Sequence, residues 1–88
     1  MFEWDEAKRL RVLAERGIDF IDATRLFDGR PIHHVPSRRN DEDRIASTAE
    51  WGGKFYTVVW VERGENRRIV TFRRARRVEE RAYRQVFG

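Results

Sequence analysis

Phe55-Tyr56-Thr57-Val58-Val59-Trp60-Val61, then Glu62-Arg63-Gly64-Glu65-Asn66, then Arg68-Ile69-Val70-Thr71-Phe72-Arg73: this run decides the fold. The first segment is β-branched and aromatic on both of its faces, the composition of a central strand covered from two sides. The polar segment with Gly64 turns the chain, and the third segment returns as a strand antiparallel to the first. A helix is expected from Ala75, with Ala75, Val78, Ala82 and Val86 as its buried stripe and Glu80–Arg84 as a favourably oriented i, i+4 pair.

Toward the N-terminus, Gly52-Gly53 is a hairpin turn signal, which makes Arg44 to Trp51 a strand and Ile32 to Val35 another. Between them Pro36-Ser37-Arg38-Arg39-Asn40-Asp41-Glu42-Asp43 is polar without a period and reads as a loop. Phe2-Glu3-Trp4 reads as a short first strand. Asp5 can cap a helix whose inner face is Ala7, Leu10, Leu13 and Ala14 and whose end is Gly17. Asp19, with Asp22 three residues on, caps a second helix with Phe20, Ala23, Thr24 and Phe27 inside, and Asp28-Gly29-Arg30-Pro31 ends it. The class is therefore α+β: a small antiparallel sheet with two N-terminal helices and one C-terminal helix. With 88 residues the chain is expected to be a single domain, 1–88, with one modest core. Trp4, Trp51 and Trp60 are expected to build that core.

Net charge is +4, and its placement is uneven. Residues 1–61 hold ten Lys and Arg against eleven Asp and Glu, whereas residues 62–88 hold nine Arg against four Glu. An excess confined to one region is the electrostatic footprint of a polyanionic partner. There is no cysteine, hence no disulfide framework and no thiolate site. His33 and His34 are adjacent, which is not the spacing that puts two metal ligands on one helix face, so neither a metal nor a cofactor is expected. No apolar run is long enough for a membrane span, and the N-terminus lacks the regions of a signal peptide, so a cytoplasmic location is expected. No helix-turn-helix signature is present.

The strand Arg68 to Arg74 carries the candidate chemistry. Strict alternation puts Arg68, Val70, Phe72 and Arg74 on one face and Arg67, Ile69, Thr71 and Arg73 on the other. A single arginine here reads as a solvated strand end. The cluster as a whole reads as an anion site, because like charges repel unless something compensates them. Arg76 and Arg77 extend that cluster. Glu79, one turn before Tyr83, either locks the last helix to the sheet through an arginine or accepts a proton. Tyr83 either stacks on a base or buries its ring. Lys8 faces away from Ala7 and Leu10 and matters only if the fold brings it to the arginines. His33 and His34 follow Pro31 at a loop edge, and either shuttle a proton or stay inert as exposed loop histidines without a partner.

Phe2-Glu3-Trp4-Asp5, Lys8, Gly17, Phe20, Ala23 and Phe27-Asp28 resemble the N-terminal half of the BrnT family. Arg68-Ile69-Val70-Thr71, Arg73-Arg74-Ala75, Glu79 and Tyr83 are similar to that family's C-terminal signature in order and spacing, while the middle of the chain is matched mainly at Arg44. The resemblance implies a RelE-like fold and the toxin half of a type II toxin–antitoxin pair. Such a toxin inhibits translation by cleaving RNA without a metal and is neutralised by a BrnA-like antitoxin in a hetero-oligomer, which reaches DNA only through the antitoxin. On this resemblance Arg68, Arg73, Arg74, Glu79 and Tyr83 are the expected catalytic set, with Lys8, Arg16, Arg44, Arg76 and Arg77 binding RNA. The chain departs from the family pattern at Val12, Glu15 and Arg16, where an Asn and then Lys-His are common. That departure keeps open the alternative of a catalytically weak or inactive relative acting as an antitoxin-binding module in operon autoregulation.

Overall fold

The doubly apolar segment forms β4 (Lys54–Arg63), the middle of five strands. The computed structural model describes residues Met1–Gly88. Its sheet runs β1 (Phe2–Trp4), β5 (Asn66–Arg74), β4, β3 (Glu42–Trp51), β2 (His33–Arg39). The α+β class holds. The sheet is mixed rather than wholly antiparallel, because β1 pairs parallel with β5 at the edge, Phe2 opposite Arg67 and Trp4 opposite Ile69. Antiparallel pairing was legible only for strands joined by short turns, and β1 and β5 are far apart in the chain.

Both glycines of the Gly52-Gly53 turn take positive φ, +61° and +79°, as a two-residue hairpin of this kind requires. The polar stretch 36–43 is not the expected loop. It is the far half of the β2–β3 hairpin, with Val35 opposite Ala46 and Arg39 opposite Glu42. Only Asn40 and Asp41 turn, at φ 51° and 60°, in the left-handed region that Asn and Asp tolerate best among side-chain-bearing residues. A hairpin exposed on both faces has no apolar alternation to reveal it. Pro36 is accommodated because β2 is an edge strand.

On the face toward the N-terminal helices, Phe20, Ala23 and Leu26 pack with Ala49, Val58, Trp60, Ile69 and Phe72. Trp4 and Trp51 lie half-buried against this core, and Trp60 is within it. The helix α2 (Phe20–Thr24) runs into a single 3-10 turn (Arg25–Phe27), and Asp19 caps it by accepting from the Ile21 amide. Leu26, fully buried, is a core residue that the helical spacing did not single out.

The other two helices are rotated away from their expected apolar stripes. In α1 (Glu6–Arg16), Asp5 accepts from the Lys8 amide and Gly17 closes the end at φ +72°, as the sequence implies. Yet Leu10 is 52 % exposed, and Ala7, Leu13 and Ala14 also face solvent. Val12 is the buried residue, with Lys8 and Arg9 half-buried beside it. Arg9 explains the rotation: it grips Asp19 through both carboxylate oxygens (3.1 and 2.9 Å) and Glu6 at 2.7 Å, tying α1 to the start of α2. In α3 (Arg77–Phe87), Val78 and Val86 are exposed at 65 % and 58 %, contrary to the expected stripe, and Ala75 precedes the helix. Tyr83 is the buried residue, edge-on to Phe55 at 5.1 Å, with Glu79 and Ala82 half-buried. An apolar-only stripe misses helices seated by an ion pair and one aromatic ring.

Candidate functional site

The face of the sheet opposite the main core carries Phe55, Thr57, Val59 and Val61 on β4. Helix α3 covers its Phe55–Thr57 end, through Tyr83 and Glu79. The Val59–Val61 end is left as a groove. What fills it depends on one irregularity. The β4–β5 register shifts between Val59 and Trp60, so that Val59 faces Thr71 while Trp60 faces Ile69, and Val70 is the extra residue. A bulge of this kind reverses side-chain parity beyond it. Strict alternation separated Arg68 from Arg73. The bulge instead puts Arg68, Thr71 and Arg73 on the groove face and sends Arg67 and Arg74 to the other.

Around Val59 and Thr71 the groove encloses about 270 Å³, lined by Arg16 of α1, Ser37, Arg39 and Arg44 of the β2–β3 hairpin, Arg73 of β5 and Arg76 before α3. Arg16 is anchored there: its guanidinium donates to Thr71 Oγ1 (3.2 Å) and to the Phe72 carbonyl (3.0 Å). Arg44 also lines the adjoining depression, where Lys8, Arg63 and Arg68 surround Val61 and Val70, with Asp5 and Glu42 as the acidic members. Arg44 is paired with Glu42 at 2.8 Å, and Arg63 lies 3.9 Å from Glu3. Arg16, Arg39, Arg68 and Arg76 form no ion pair. With these four guanidiniums free of carboxylates, the concave surface carries a net positive charge, and planar forks of this kind suit phosphate.

Glu79 organises one side of this field. Its carboxylate takes two guanidinium bonds from Arg73 (2.7 and 2.9 Å), the Thr57 hydroxyl at 3.1 Å and the Arg76 amide at 2.7 Å. Thr57 in turn shares a 2.7 Å hydrogen bond with Thr48. Burial alone would raise the Glu79 carboxyl, but Arg73, the Arg76 amide and Thr57 overrule it and hold it down at about 2. Glu79 is thus a fixed anion that aims Arg73, at a pH where it has no proton to give.

The remaining candidates lie elsewhere. Arg74 is on the opposite face, 5.4 Å above the Tyr56 ring centroid, with its Nε donating to the Phe55 carbonyl. Tyr83 buries its ring between Phe55 and Phe87. Arg77 is exposed at the start of α3 and lines neither depression. His34 is on the core face, its Nδ1 2.6 Å from Ser47 Oγ and its ring against Phe27 and Trp60. Burial, then Arg67 and His33, lower its pKa. His33 lines a separate, mostly apolar cleft between β2 and α3 with Val35 and Val78. Nowhere do three His, Asp or Glu side chains gather into a metal-binding group. Sequence reasoning missed Arg39, Arg63, Ser37 and Thr71. Arg39 and Ser37 lay in the stretch read as a loop, and only the pairing of Ser37 with Arg44 and Arg39 with Glu42 reveals their side.

The family described as "Ribonuclease toxin, BrnT, of type II toxin-antitoxin system" matches residues 4–79 of the chain. None of the curated proteins compared with the chain matches it.

Proposed function

The chain belongs to the BrnT family of type II toxin–antitoxin ribonuclease toxins, and from that premise we propose that the arginine groove over Val59 is where it cuts RNA without a metal. A toxin of this class has an antitoxin protein as partner. The single observation that carries the reading is the convergence of Arg16, Arg39, Arg44, Arg73 and Arg76 from separate elements on one concave surface. In this reading a ribose 2′-OH attacks the adjacent phosphate, and the arginines neutralise the charge that builds on the phosphorane oxygens. Arg73, held by Glu79, is the fixed contact. Arg16, Arg44 and Arg76 complete the cradle, while Lys8 and Arg68 receive a neighbouring nucleotide. Arg74 and Tyr83, grouped with the site by the family resemblance, serve packing instead, and Arg77 stands outside both depressions.

RNA is the substrate in this proposal, and its cleavage lowers translation. The partner in this proposal is a BrnA-like antitoxin that neutralises the toxin in a hetero-oligomer and supplies the contact with DNA. The whole chain, 1–88, acts as one cytoplasmic toxin domain. The test is incubation of purified protein, free of its partner, with end-labelled RNA in EDTA. RNA is expected to be cut and DNA of the same sequence spared, because the attacking 2′-OH is missing from DNA. Intact RNA from correctly folded protein rejects the proposal. The second reading, a weak or inactive relative that only binds antitoxin, draws on the placement of both histidines outside the groove. Growth arrest on expression favours the nuclease, and unimpeded growth favours the binder.

A further inference from the structure

We propose that Lys8, in the depression that adjoins this groove at Arg44, is a catalytic residue: the general acid that hands its proton to the 5′-oxygen leaving group of the RNA. The inference rests on the ribonuclease reading above and adds the residue that moves the proton. Lys8, Val12 and Arg16 follow one another at i, i+4 and i+8, so the stripe of α1 that turns inward carries Lys8 to the depression holding Arg44 and Arg68. Lys8 is half-buried and joins no ion pair, so its ammonium is not committed to a carboxylate. The charged groups that face it are Asp5, Arg11 and Arg16 on its own helix and its cap, Glu42 and Arg44 of β3, Arg63 of β4 and Arg68 of β5.

Other groups in the groove are unsuited to the task. Arginine does not release its proton near neutral pH. Glu79 is a clamped anion, Glu42 is tied to Arg44, and Asp5 caps α1. His34 lies through the sheet and His33 in the β2–α3 cleft. Partial burial, and then Arg44, Arg11 and Arg16, loosen the hold of Lys8 on its proton relative to an ordinary lysine, while Asp5 works weakly against them. A cation with a loosened proton beside a leaving oxygen is the arrangement general-acid catalysis needs.

The 2′-oxygen forms its bond to phosphorus as its proton passes to water. The P–O5′ bond breaks with its electron pair going to O5′, which takes the proton from Lys8 Nζ. Water then returns a proton to the amine. The products are a 2′,3′-cyclic phosphate and a 5′-hydroxyl.

The decisive experiment compares wild type, Lys8→Arg, Lys8→Gln and a Lys54→Arg control on two substrates: ordinary RNA, and RNA with sulfur in place of the bridging 5′-oxygen at one linkage. A thiolate leaves without needing a proton. The expected result is that Lys8→Arg binds RNA as wild type does, cuts ordinary RNA about 100-fold more slowly, and cuts the sulfur linkage at the wild-type rate. Lys8→Gln should show the same selective rescue, and Lys54→Arg should match wild type throughout. Lys8 variants that cut ordinary RNA at the wild-type rate, or are equally slow on both linkages, overturn the proposal. A folded wild type that cuts neither substrate instead overturns the ribonuclease reading, and this inference falls with it.

Discussion

The two faces of this sheet use the same residue type for opposite ends. On the core face, Arg67 lies 4.6 Å from the Phe27 ring centroid and 5.0 Å from that of Trp60, and Arg74 lies over Tyr56. Each of these guanidiniums is compensated by the negative face of an aromatic ring and lines the edge of a packed layer. On the groove face, Arg16, Arg39, Arg68 and Arg76 have neither rings nor carboxylates, and Arg73 has only Glu79. The lesson is that counting arginines along a strand locates a charged segment but not a site. Adjacent residues such as Arg73 and Arg74 do different work because a sheet has two sides.

The largest test of the comparison is on the packed side. Phe72 is fully buried there, and Phe72→Ala should cost about 3–5 kcal/mol in urea unfolding, a loss that would leave little of the fold. A cost near zero would mean that the core is not where the structure puts it.

The next test sets the neighbours against each other. Arg73→Ala should slow RNA cleavage about 100-fold or more, as expected of losing one fixed donor to the developing charge. Arg74→Ala should leave cleavage nearly unchanged and cost about 0.5–1 kcal/mol of stability through its lost ring contact. Equal losses of cleavage in the two variants would erase the distinction between the faces.

Glu79→Gln should lower stability by about 2 kcal/mol, since it removes a charged acceptor from an arginine and a backbone amide. The same carboxylate predicts a pH dependence with a definite sign. Its folded-state pKa, about 2, lies below its ordinary value of 4.5, so its contribution is fully present above about 4.5 and is lost as the pH falls toward 2. Wild type should therefore lose more stability over that window than Glu79→Gln does, as measured by unfolding at each pH. Parallel curves would show that the clamp contributes nothing.

The smallest effect is expected at the helix face that the sequence assigned to the core. Leu10→Ser should change stability by no more than about 0.5 kcal/mol, because Leu10 is on the solvent side of α1. A cost of several kcal/mol would restore the apolar stripe and rotate Lys8 and Arg16 out of the groove.

Much of the architecture was legible in local pattern. The central strand at Phe55–Val61, the Gly52-Gly53 turn, the caps at Asp5, Asp19 and Gly17, and the concentration of arginine in the final third all follow from backbone preferences and composition. The polar half of the β2–β3 hairpin was not legible, because strands wet on both faces leave no alternation to read. Nor were the rotations of α1 and α3, because Arg9–Asp19 and Arg73–Glu79 seat those helices through charge rather than through an apolar stripe.

By itself, then, the sequence determined the α+β class, the order of the elements and the presence of a large cationic surplus, since these depend on residues close together in the chain. Tertiary structure decided that β1 joins β5 in parallel, that a single bulge at Val70 turns Arg68 to the side of Arg73, and that Lys8 and Arg16 meet the hairpin's Arg44. Register and helix rotation are settled by the summed pairing and packing of distant segments, and no short window of residues contains that sum.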